Sequence, residues 1–434
     1  MRLNRKPALS AVIVSGLMFG HISPAPAANW LMLQGTEKPQ AAAKAKLWGF
    51  IQGEYQHDFS DGFTKPDGTE VYVPPKLIGP DLDDQSSFNV RRARIGVRGA
   101  NFPLDGKTNY FLLAELGNNG ITKAGDSFAK VTDASVTFNH IPGARVRMGV
   151  FKYPGAEEGL QAVPLNPWIN FTSVTNQLLL ERFSTQDASA AGANRGGAAP
   201  TPKADLNLYD KSVGAFRDVG VQVFDSFGEG DWEHSYALML GNGNGLNTTD
   251  DNEAKDTYLY WSSARVLGGE GPRREDLKFF AWHQDGERNF YAQDGSTEAF
   301  DRTRYGLGFA YREGPWRLRS EYMQGEGMIF QGPNNPDKLG NDFEAAGWYV
   351  EGGWFIPGSR WELDLRFDTY TRNKDESTES TFDTWTAGAQ YHFNKKTRVA
   401  VQYASRDFGS EANAIDNQLD GVKGRLAVQV TAIY

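Results

Sequence analysis

The chain has 434 residues with no cysteine, 48 glycines, 13% aromatic residues and a net charge of −9. The lack of cysteine excludes a disulfide scaffold and a thiolate metal centre. After residue 25 the chain has no apolar run of about 20 residues, which excludes a bundle of membrane helices. The aromatic content excludes a disordered chain. The acidic balance argues against nucleic acid as a partner, and the glycine and aromatic content favours an extended β protein.

Residues 1–27 have the layout of a secretory signal peptide. A basic start at residues 2–6 precedes a mostly apolar stretch at 8–22 and an A-x-A cleavage site, Ala25-Pro26-Ala27. The apolar stretch is too short to span about 30 Å of hydrocarbon as a membrane anchor. We therefore expect cleavage near Ala27, which removes three basic residues and leaves a more acidic, exported protein that begins with a periplasmic segment at 28–46.

From residue 47 onwards, apolar and polar residues alternate with a period of two in sixteen short segments. In the last segment, Val428 and Val430 alternate with Gln429 and Thr431, so one face meets an apolar surface and the other meets water. Many apolar faces begin or end in Trp, Tyr or Phe, which suits aromatic rings at a membrane interface. The predicted strands are 47–57, 87–99, 107–117, 129–138, 144–152, 216–225, 232–241, 256–267, 275–285, 301–312, 315–324, 343–356, 359–371, 381–393, 396–406 and 421–434.

The connections between these strands alternate between long and short. The long ones are 58–86, 118–128, 153–215, 242–255, 286–300, 325–342, 372–380 and 407–420. Long external loops and short periplasmic turns are typical of an outer-membrane barrel, and an even strand number puts both termini on the periplasmic side. The prediction is therefore an all-β fold, a 16-stranded antiparallel transmembrane β-barrel at 47–434, which is wide enough to leave an aqueous channel.

The connection at 153–215 is too long for an ordinary loop. Its first half, 154–183, carries apolar residues, among them Leu160, Trp168 and Leu178, that a purely extracellular loop does not need. We expect this third extracellular loop to fold into the barrel and narrow the channel. Its second half, 184–203, is rich in alanine and glycine and has few apolar anchors.

The strand faces opposite the apolar ones point into the lumen and carry many arginines. This parity turns Arg92, Arg94 and Arg98 of the second strand inward, together with Arg145 and Arg147 of the fifth. The lumen also receives Arg304, Arg317, Arg319, Arg366, Arg398 and Arg425, offset by Glu115, Glu321, Glu362, Asp364 and Asp368. Guanidinium groups stay charged and present fixed forks to oxyanions, so this interior attracts anions. The alternative is that each arginine solvates a wet wall and pairs with a neighbouring carboxylate.

No catalytic or cofactor-binding pattern accompanies the strands. The six histidines show no metal-ligand spacing, no serine has a G-x-S-x-G context, and the acidic stretch 242–253 lacks the loop spacing of a Ca²⁺ site. We therefore expect no enzyme activity, no cofactor and no metal, and we place the function in the lumen lining and the long loop.

The chain resembles the phosphate-selective porin O and P family of Gram-negative outer membranes. The likeness is carried by Phe88-Asn-Val-Arg-Arg-Ala-Arg-Ile-Gly-Val-Arg-Gly, by Arg147-Met-Gly-Val-Phe-Lys-Tyr-Pro-Gly-Ala-Glu-Glu, and by the stretches 133–138, 180–183, 220–223 and 236–245. The order and spacing of these motifs, rather than any one of them, are specific. The resemblance implies a 16-stranded barrel, usually trimeric, with an arginine-rich pore and a third extracellular loop folded inward.

The resemblance also assigns roles to individual residues. The paired arginines of the second strand fall on Arg91 and Arg92, and the Glu-Arg pair that closes the constriction loop falls on Glu181 and Arg182. Phosphate-selective members have lysines after a Phe-Gly-Leu-Glu stretch of that loop, whereas this chain has acids, Glu157 and Glu158, with Glu158 in the place of a lysine. A carboxylate at that position repels a divalent anion, so the resemblance implies a porin more strongly than it implies phosphate as the solute.

The leading hypothesis is a passive outer-membrane channel for small anions such as phosphate. The alternatives are a weakly selective or organic-acid porin, a barrel-embedded hydrolase and an adhesin. The expected partners are small anions or other small solutes, outer-membrane lipid, two further copies in a homotrimer, and the barrel-assembly machinery, which reads a terminal aromatic residue such as Tyr434.

Overall fold

The computed structural model describes most of the chain after the leader. The described residues are 29–37, 42–61, 63–64, 70–71, 82, 85–100, 105–122, 128–180, 182–183, 211–212, 215–246, 250, 252–269, 274–291, 297–330, 339–340 and 343–434. The predicted signal peptide and the second half of the connection at 153–215, residues 184–203, lie outside them. Among the described residues, no helix is both long and apolar enough to cross a bilayer.

Sixteen long strands form one antiparallel sheet. They are β1 (Lys46–Asp58), β2 (Ser86–Ala100), β3 (Thr108–Glu115), β4 (Lys130–Phe138), β5 (Arg145–Lys152), β6 (Arg217–Glu229), β7 (Trp232–Gly241), β8 (Asp256–Gly268), β9 (Glu275–Tyr291), β10 (Thr297–Glu313), β11 (Trp316–Glu326), β12 (Glu344–Phe355), β13 (Trp361–Arg372), β14 (Ser380–Asn394), β15 (Thr397–Ser410) and β16 (Arg425–Ile433). Each predicted strand corresponds to one of these. The helices are short, α1 (Glu157–Leu160) and α2 (Asn413–Leu419), with 3-10 turns at Trp30–Met32 and Val163–Leu165 and a π-helical turn at Thr175–Leu179.

The sheet closes on itself through its first and last strands. β1 pairs with β16 in a register that runs from Phe50 opposite Ile433 to Asp58 opposite Arg425. Beyond the last strand, Tyr434 exchanges two backbone hydrogen bonds with Gly49, at 3.0 and 3.3 Å. Closure leaves the barrel sheet without a free edge, as a sheet within lipid requires, and the predicted fold class is confirmed.

The two faces of the sheet differ in chemistry as the alternation predicted. The outer face carries large, exposed apolar side chains, for example Leu365 and Trp385, which are 54% and 55% exposed. The inner face is polar and buried, as Asp368 and Gln429 show at 0% and 3% exposure. The arginines and carboxylates that parity placed in the lumen lie on the inner face.

The structure corrects the sequence analysis at two places. The connection predicted at 286–300 is only residues 292–296, because β9 and β10 continue to pair as far as Tyr291 and Thr297. Val422, which the prediction included in the last strand at 421–434, precedes β16 and is buried at 5% exposure, with its N–H bonded to the carbonyl of Leu419 in α2. Both errors arise at the ends of strands that carry the long connections, where pairing and loop packing decide the boundary.

Candidate functional site

A bulge in β2 turns two consecutive arginines into the lumen. The register with β1 steps from Gln52 opposite Arg92 to Gly53 opposite Val90, so Arg91 is the additional residue. Arg91 and Arg92 are both buried, at 0% and 4% exposure. Strict alternation of lumen-facing and lipid-facing residues places only Arg92 in the lumen. The inward position of Arg91 was implied by the family motif alone.

The two arginines have different partners. Arg91 Nη1 donates to the carbonyl of Ile169 and to Oδ1 of Asn170, both at 2.8 Å, and lies 3.4 Å from a carboxylate oxygen of Glu54. Arg92 Nη1 donates to Gln52 Oε1 at 2.9 Å. Arg91 therefore holds the long loop, whereas the hydrogen-bond partner of Arg92 is a neutral amide.

Residues 153–180, which we call the constriction loop, cross the lumen. Near its start, Lys152 Nζ donates to the carbonyls of Gly159 and Gln161 at 2.7 and 2.8 Å. On the far side, Gln402 of β15 accepts from the Ile169 N–H at 2.9 Å and donates to the Pro167 carbonyl at 2.8 Å. Further anchors are Glu321 to the N–H of Glu157, Arg366 to the carbonyl of Asn170, Asp368 to the N–H of Ser173 and Arg398 to the carbonyl of Asn166.

These contacts reach the loop from β2, β5, β11, β13 and β15. No sequence motif marks Lys152 or Gln402 as an anchor of the loop. The one local signal for these two residues is that the alternation predicts lumen-facing side chains, on strands that flank or face the loop. Many other residues share this signal.

The two described acids of the constriction loop are engaged rather than free. Glu158 accepts a hydrogen bond from Thr172 Oγ1 at 2.8 Å and lies 3.5 Å from Arg366. Glu157 pairs with Lys278 of β9, with 2.5 Å between Nζ and Oε1. Glu181 and the side chain of Arg182 lie outside the described residues; the backbone of Arg182 pairs with Ser212 in a two-residue ribbon.

The other predicted arginines of β2 and β5 hold structural partners. Arg94 pairs with Glu115 at 2.8 Å. Arg98, Arg145 and Arg147 instead contact residues 29–37, which lie inside the end of the barrel that carries the short turns, the end assigned to the periplasm. We call residues 29–37 the N-terminal segment. Arg98, Arg145 and Arg147 therefore brace this segment, whereas Arg91 braces the constriction loop.

The wall from β9 to β13 is closer to charge balance. Arg317 lies 3.1 Å from Glu351, 3.3 Å from Glu362 and 2.6 Å from Asp364. Arg319 lies 2.9 Å from Glu351 on the same strand pair. Arg317 and Arg319 have carboxylate partners, so this part of the wall adds little net field to the lumen. Within the described part of the chain, no group of three or more His, Asp or Glu side chains is placed to hold a metal ion.

Three open cavities lie on the short-turn side of the constriction loop. One, of about 600 Å³, is lined by Arg312, Lys396 and Arg398 together with Gln161 and Leu165 of the loop. A second, of about 540 Å³, lies between Trp30, Glu157, Lys278 and Arg319. A third, of about 520 Å³, lies between Trp30, Gln34, Trp48, Lys152 and Pro164. Solutes that enter from this end meet basic side chains and the underside of the loop.

A closed sixteen-stranded barrel with a polar interior and an inserted loop is the architecture of a porin, a passive channel through the outer membrane rather than an enzyme. The family model for the phosphate-selective porin O and P matches residues 79–430, so the chain belongs to that family, as the sequence motifs implied. Family and fold together place the protein in the outer membrane of a Gram-negative bacterium.

Solved structures share the fold. An anion-selective porin from Comamonas acidovorans is 15% identical, with a TM-score of 0.51 over 90% of this chain and 99% of that one. The loop L8 deletion mutant of OmpT from Vibrio cholerae is 10% identical, with a TM-score of 0.52 and the same coverage. OmpF of Salmonella typhi in complex with daunomycin is 13% identical, with a TM-score of 0.51 over 90% and 98%. No curated protein matches the chain.

Proposed function

We propose that this porin is a passive diffusion channel for small anions, with a modest preference for anions over cations and without tight binding of phosphate. The observation that supports the proposal is a set of buried lumenal cations whose hydrogen-bond partners are neutral. Arg92 binds an amide, Lys152 binds backbone carbonyls, and Arg147 binds Ser135 Oγ at 3.0 Å and Gln34. Within the described part of the chain, no carboxylate oxygen lies within 4.0 Å of these three cations.

Uncompensated charge of this kind decides which ion enters. Two unit charges about 4 Å apart interact by roughly 4 kcal/mol at an effective dielectric near 20, before desolvation is subtracted. A few cations on β2 and β5 therefore favour an anion near the constriction loop. The family name, which refers to phosphate, supports an anionic solute.

Two features argue for a modest preference. Glu158 stands where phosphate-selective members carry a lysine, which removes a point charge suited to phosphate. The wall around Arg317 is balanced by three carboxylates. That balance favours a second candidate, a porin with weak or no charge preference that also passes organic acids.

The test is the reversal potential of the purified protein in a planar bilayer under a potassium chloride gradient. We expect chloride to be favoured over potassium in the wild type and less favoured in Arg92→Ala. Arg360→Ala removes the same charge from an exposed turn and should leave the ratio unchanged. A cation-selective wild type would contradict the proposal, and an unselective one would support the weakly selective alternative.

Phosphate is tested separately by titrating it against the chloride conductance. We expect no block at micromolar phosphate, since Glu158 replaces a lysine. Block at micromolar concentration would show that the basic residues form a specific phosphate site. Conduction itself separates a porin from a barrel-embedded hydrolase or an adhesin with a filled lumen, because neither of these conducts.

The assembly is part of the proposal. We infer a homotrimer whose outer faces contact outer-membrane lipid, inserted by the barrel-assembly machinery after cleavage near Ala27. The mass of the detergent-solubilised protein tests the trimer, and N-terminal sequencing of protein from outer membranes tests the cleavage site. A monomeric mass or an uncleaved leader would contradict the corresponding inference.

A further inference from the structure

The N-terminal segment is packed into the lumen instead of hanging from the barrel. Trp30 and Leu31, in the turn Trp30–Met32, are 8% and 3% exposed. They belong to the same apolar cluster as Leu160 of the constriction loop, and Met32 and Leu33 pack against that cluster. The segment thus lies directly under the constriction loop and fills part of the bore.

Polar contacts attach the segment to the inner wall at several strands. Arg98 of β2 pairs with Glu37 at 3.0 Å. Arg147 of β5 donates to the carbonyl and to Oε1 of Gln34, both at 3.1 Å, and Arg145 donates to the carbonyl of Thr36. Oxygen atoms of the N-terminal segment therefore occupy the hydrogen-bonding groups of three arginines, which an anion passing through the lumen would otherwise contact.

The opposite end of the segment reaches β7. Asn29 Nδ2 donates to Ser235 Oγ and, at 3.4 Å, to Glu233. Trp30 lines both the cavity of about 540 Å³ and the cavity of about 520 Å³, so its indole separates them. The segment accordingly spans the short-turn end of the lumen from β2 to β7.

The segment does not extend the barrel sheet. The described residues 29–37 contain no strand, and side chains of the wall, among them Arg145 and Asn109, bind both the backbone carbonyls and the side chains of these residues. The Glu37 and Arg98 side chains are still 26% and 24% exposed to water. Attachment of this kind can be released without breaking the ladder of backbone hydrogen bonds that holds the barrel together.

We propose that residues 29–37 are a displaceable plug, which restricts the short-turn end of the channel and covers Arg98, Arg145 and Arg147. Displacement opens the bore below the constriction loop and returns these arginines to the lumen. The inference rests on the proposed channel function. It adds that the mature N-terminus limits both the conductance and the anion preference of the open barrel.

Deletion of residues 29–37 from the full mature chain is the first test. Single-channel conductance should rise roughly two-fold, since conductance follows the open cross-section of the pore. The chloride-to-potassium permeability ratio should rise as well, because three guanidinium groups lose their covering oxygens. Trp30→Ala keeps the polar contacts of the segment but joins two cavities, so it should raise conductance with little change in the permeability ratio.

A reversible tether tests the plug in a chain that keeps all its residues. The sequence contains no cysteine, so Asn29→Cys with Ser235→Cys forms a unique pair at positions whose native side chains touch. The oxidised double variant should conduct less than the same protein after a thiol reductant is added, and re-oxidation should reverse the change. Asn29→Cys alone is the matched control and should not respond to the reductant.

The outcomes separate the plug from the channel. If the wild type, the deletion variant and both redox states of the tethered variant conduct equally, the plug is wrong and the channel stands. If none of these folded proteins conducts, the proposed channel function is wrong, and so is the proposed plug that depends on it. Should the deletion variant fail to fold, the tethered pair still decides, because it leaves the segment in place.

Discussion

The carboxylate of Glu158 and the guanidinium of Arg366 lie 3.5 Å apart, and both side chains are buried where the constriction loop meets β13. The guanidinium also lies over the ring of Trp168, with 4.6 Å between Cζ and the ring centroid. Thr172 completes the arrangement through its hydroxyl. Glu158 thus offsets part of the charge of one lumenal arginine and braces the loop at the same time.

Loss of the Glu158 charge should shift selectivity towards anions. In Glu158→Gln, the side chain keeps an acceptor for Thr172, but Arg366 loses one of its two carboxylate neighbours and keeps Asp368, 3.5 Å away. We expect the chloride-to-potassium permeability ratio to rise a few-fold. This rise corresponds to a change of about 1 kcal/mol in the screened electrostatic energy of the ion. Glu376→Gln, on an exposed extracellular turn, should have no effect. An unchanged ratio in Glu158→Gln would mean that the loop acid does not influence the ions that pass.

Adjacent residues of β16 should respond differently to the same new charge. Val428→Lys puts an ammonium group on the lipid face near the middle of the strand and should cost about 2–4 kcal/mol. Gln429→Lys points into the lumen and can donate to Glu54, as the Gln429 amide does at 2.8 Å, so it should cost less than about 1 kcal/mol. Urea unfolding from vesicles measures both; equal losses would contradict the assignment of faces.

The clamp formed by Gln402 should control the rigidity of the constriction loop. Gln402→Ala leaves the buried N–H of Ile169 and carbonyl of Pro167 without their partner, which should cost about 1–3 kcal/mol. We expect noisier single-channel current and a lower melting temperature of the folded band on a heat-modifiability gel. The matched control is Thr386→Ala on the neighbouring strand β14, which removes an inner-face hydroxyl that has no hydrogen-bond partner among the described residues. Equal behaviour of the two variants would rule out the clamp.

Tyr434 should contribute to assembly through its backbone and its aromatic ring more than through its hydroxyl group. Its backbone closes the barrel against Gly49, and its hydroxyl donates to the Arg94 carbonyl at 3.0 Å. Deletion of Tyr434 removes both closing bonds and the terminal aromatic residue, so the yield in the outer membrane should fall sharply. Tyr434→Phe keeps everything but the hydroxyl and should assemble at nearly full yield. Full yield from the deletion variant would refute the terminal-signal hypothesis.

Much of the fold was predictable because strand geometry is local. Period-two alternation, as in Val428 and Gln429, follows from the pleat of one strand and needs no knowledge of the rest of the molecule. Connection lengths then order the strands and orient the barrel. By parity alone, Arg92 and Asp368 are predicted to face the lumen, and the structure places them there.

The site was less predictable because its contacts join distant parts of the chain. Gln402 and Pro167 are 235 residues apart, and no local pattern marks either as the partner of the other. Glu158 was predicted as an acid that repels anions, yet its nearest cation, Arg366, comes from a strand on the far wall. Which charges remain uncompensated therefore depends on the folded loop.

The sequence by itself determined the number of strands, the two faces of each strand and the end of the barrel to which each connection belongs, because the alternation of single residues carries this information. Only the tertiary structure decided that Arg91 joins Arg92 inside the lumen, because a bulge breaks the period at one residue. Only the tertiary structure placed Trp30 beneath the constriction loop, because apolar packing inside a wide barrel is set by whatever space the wall and the loop leave open.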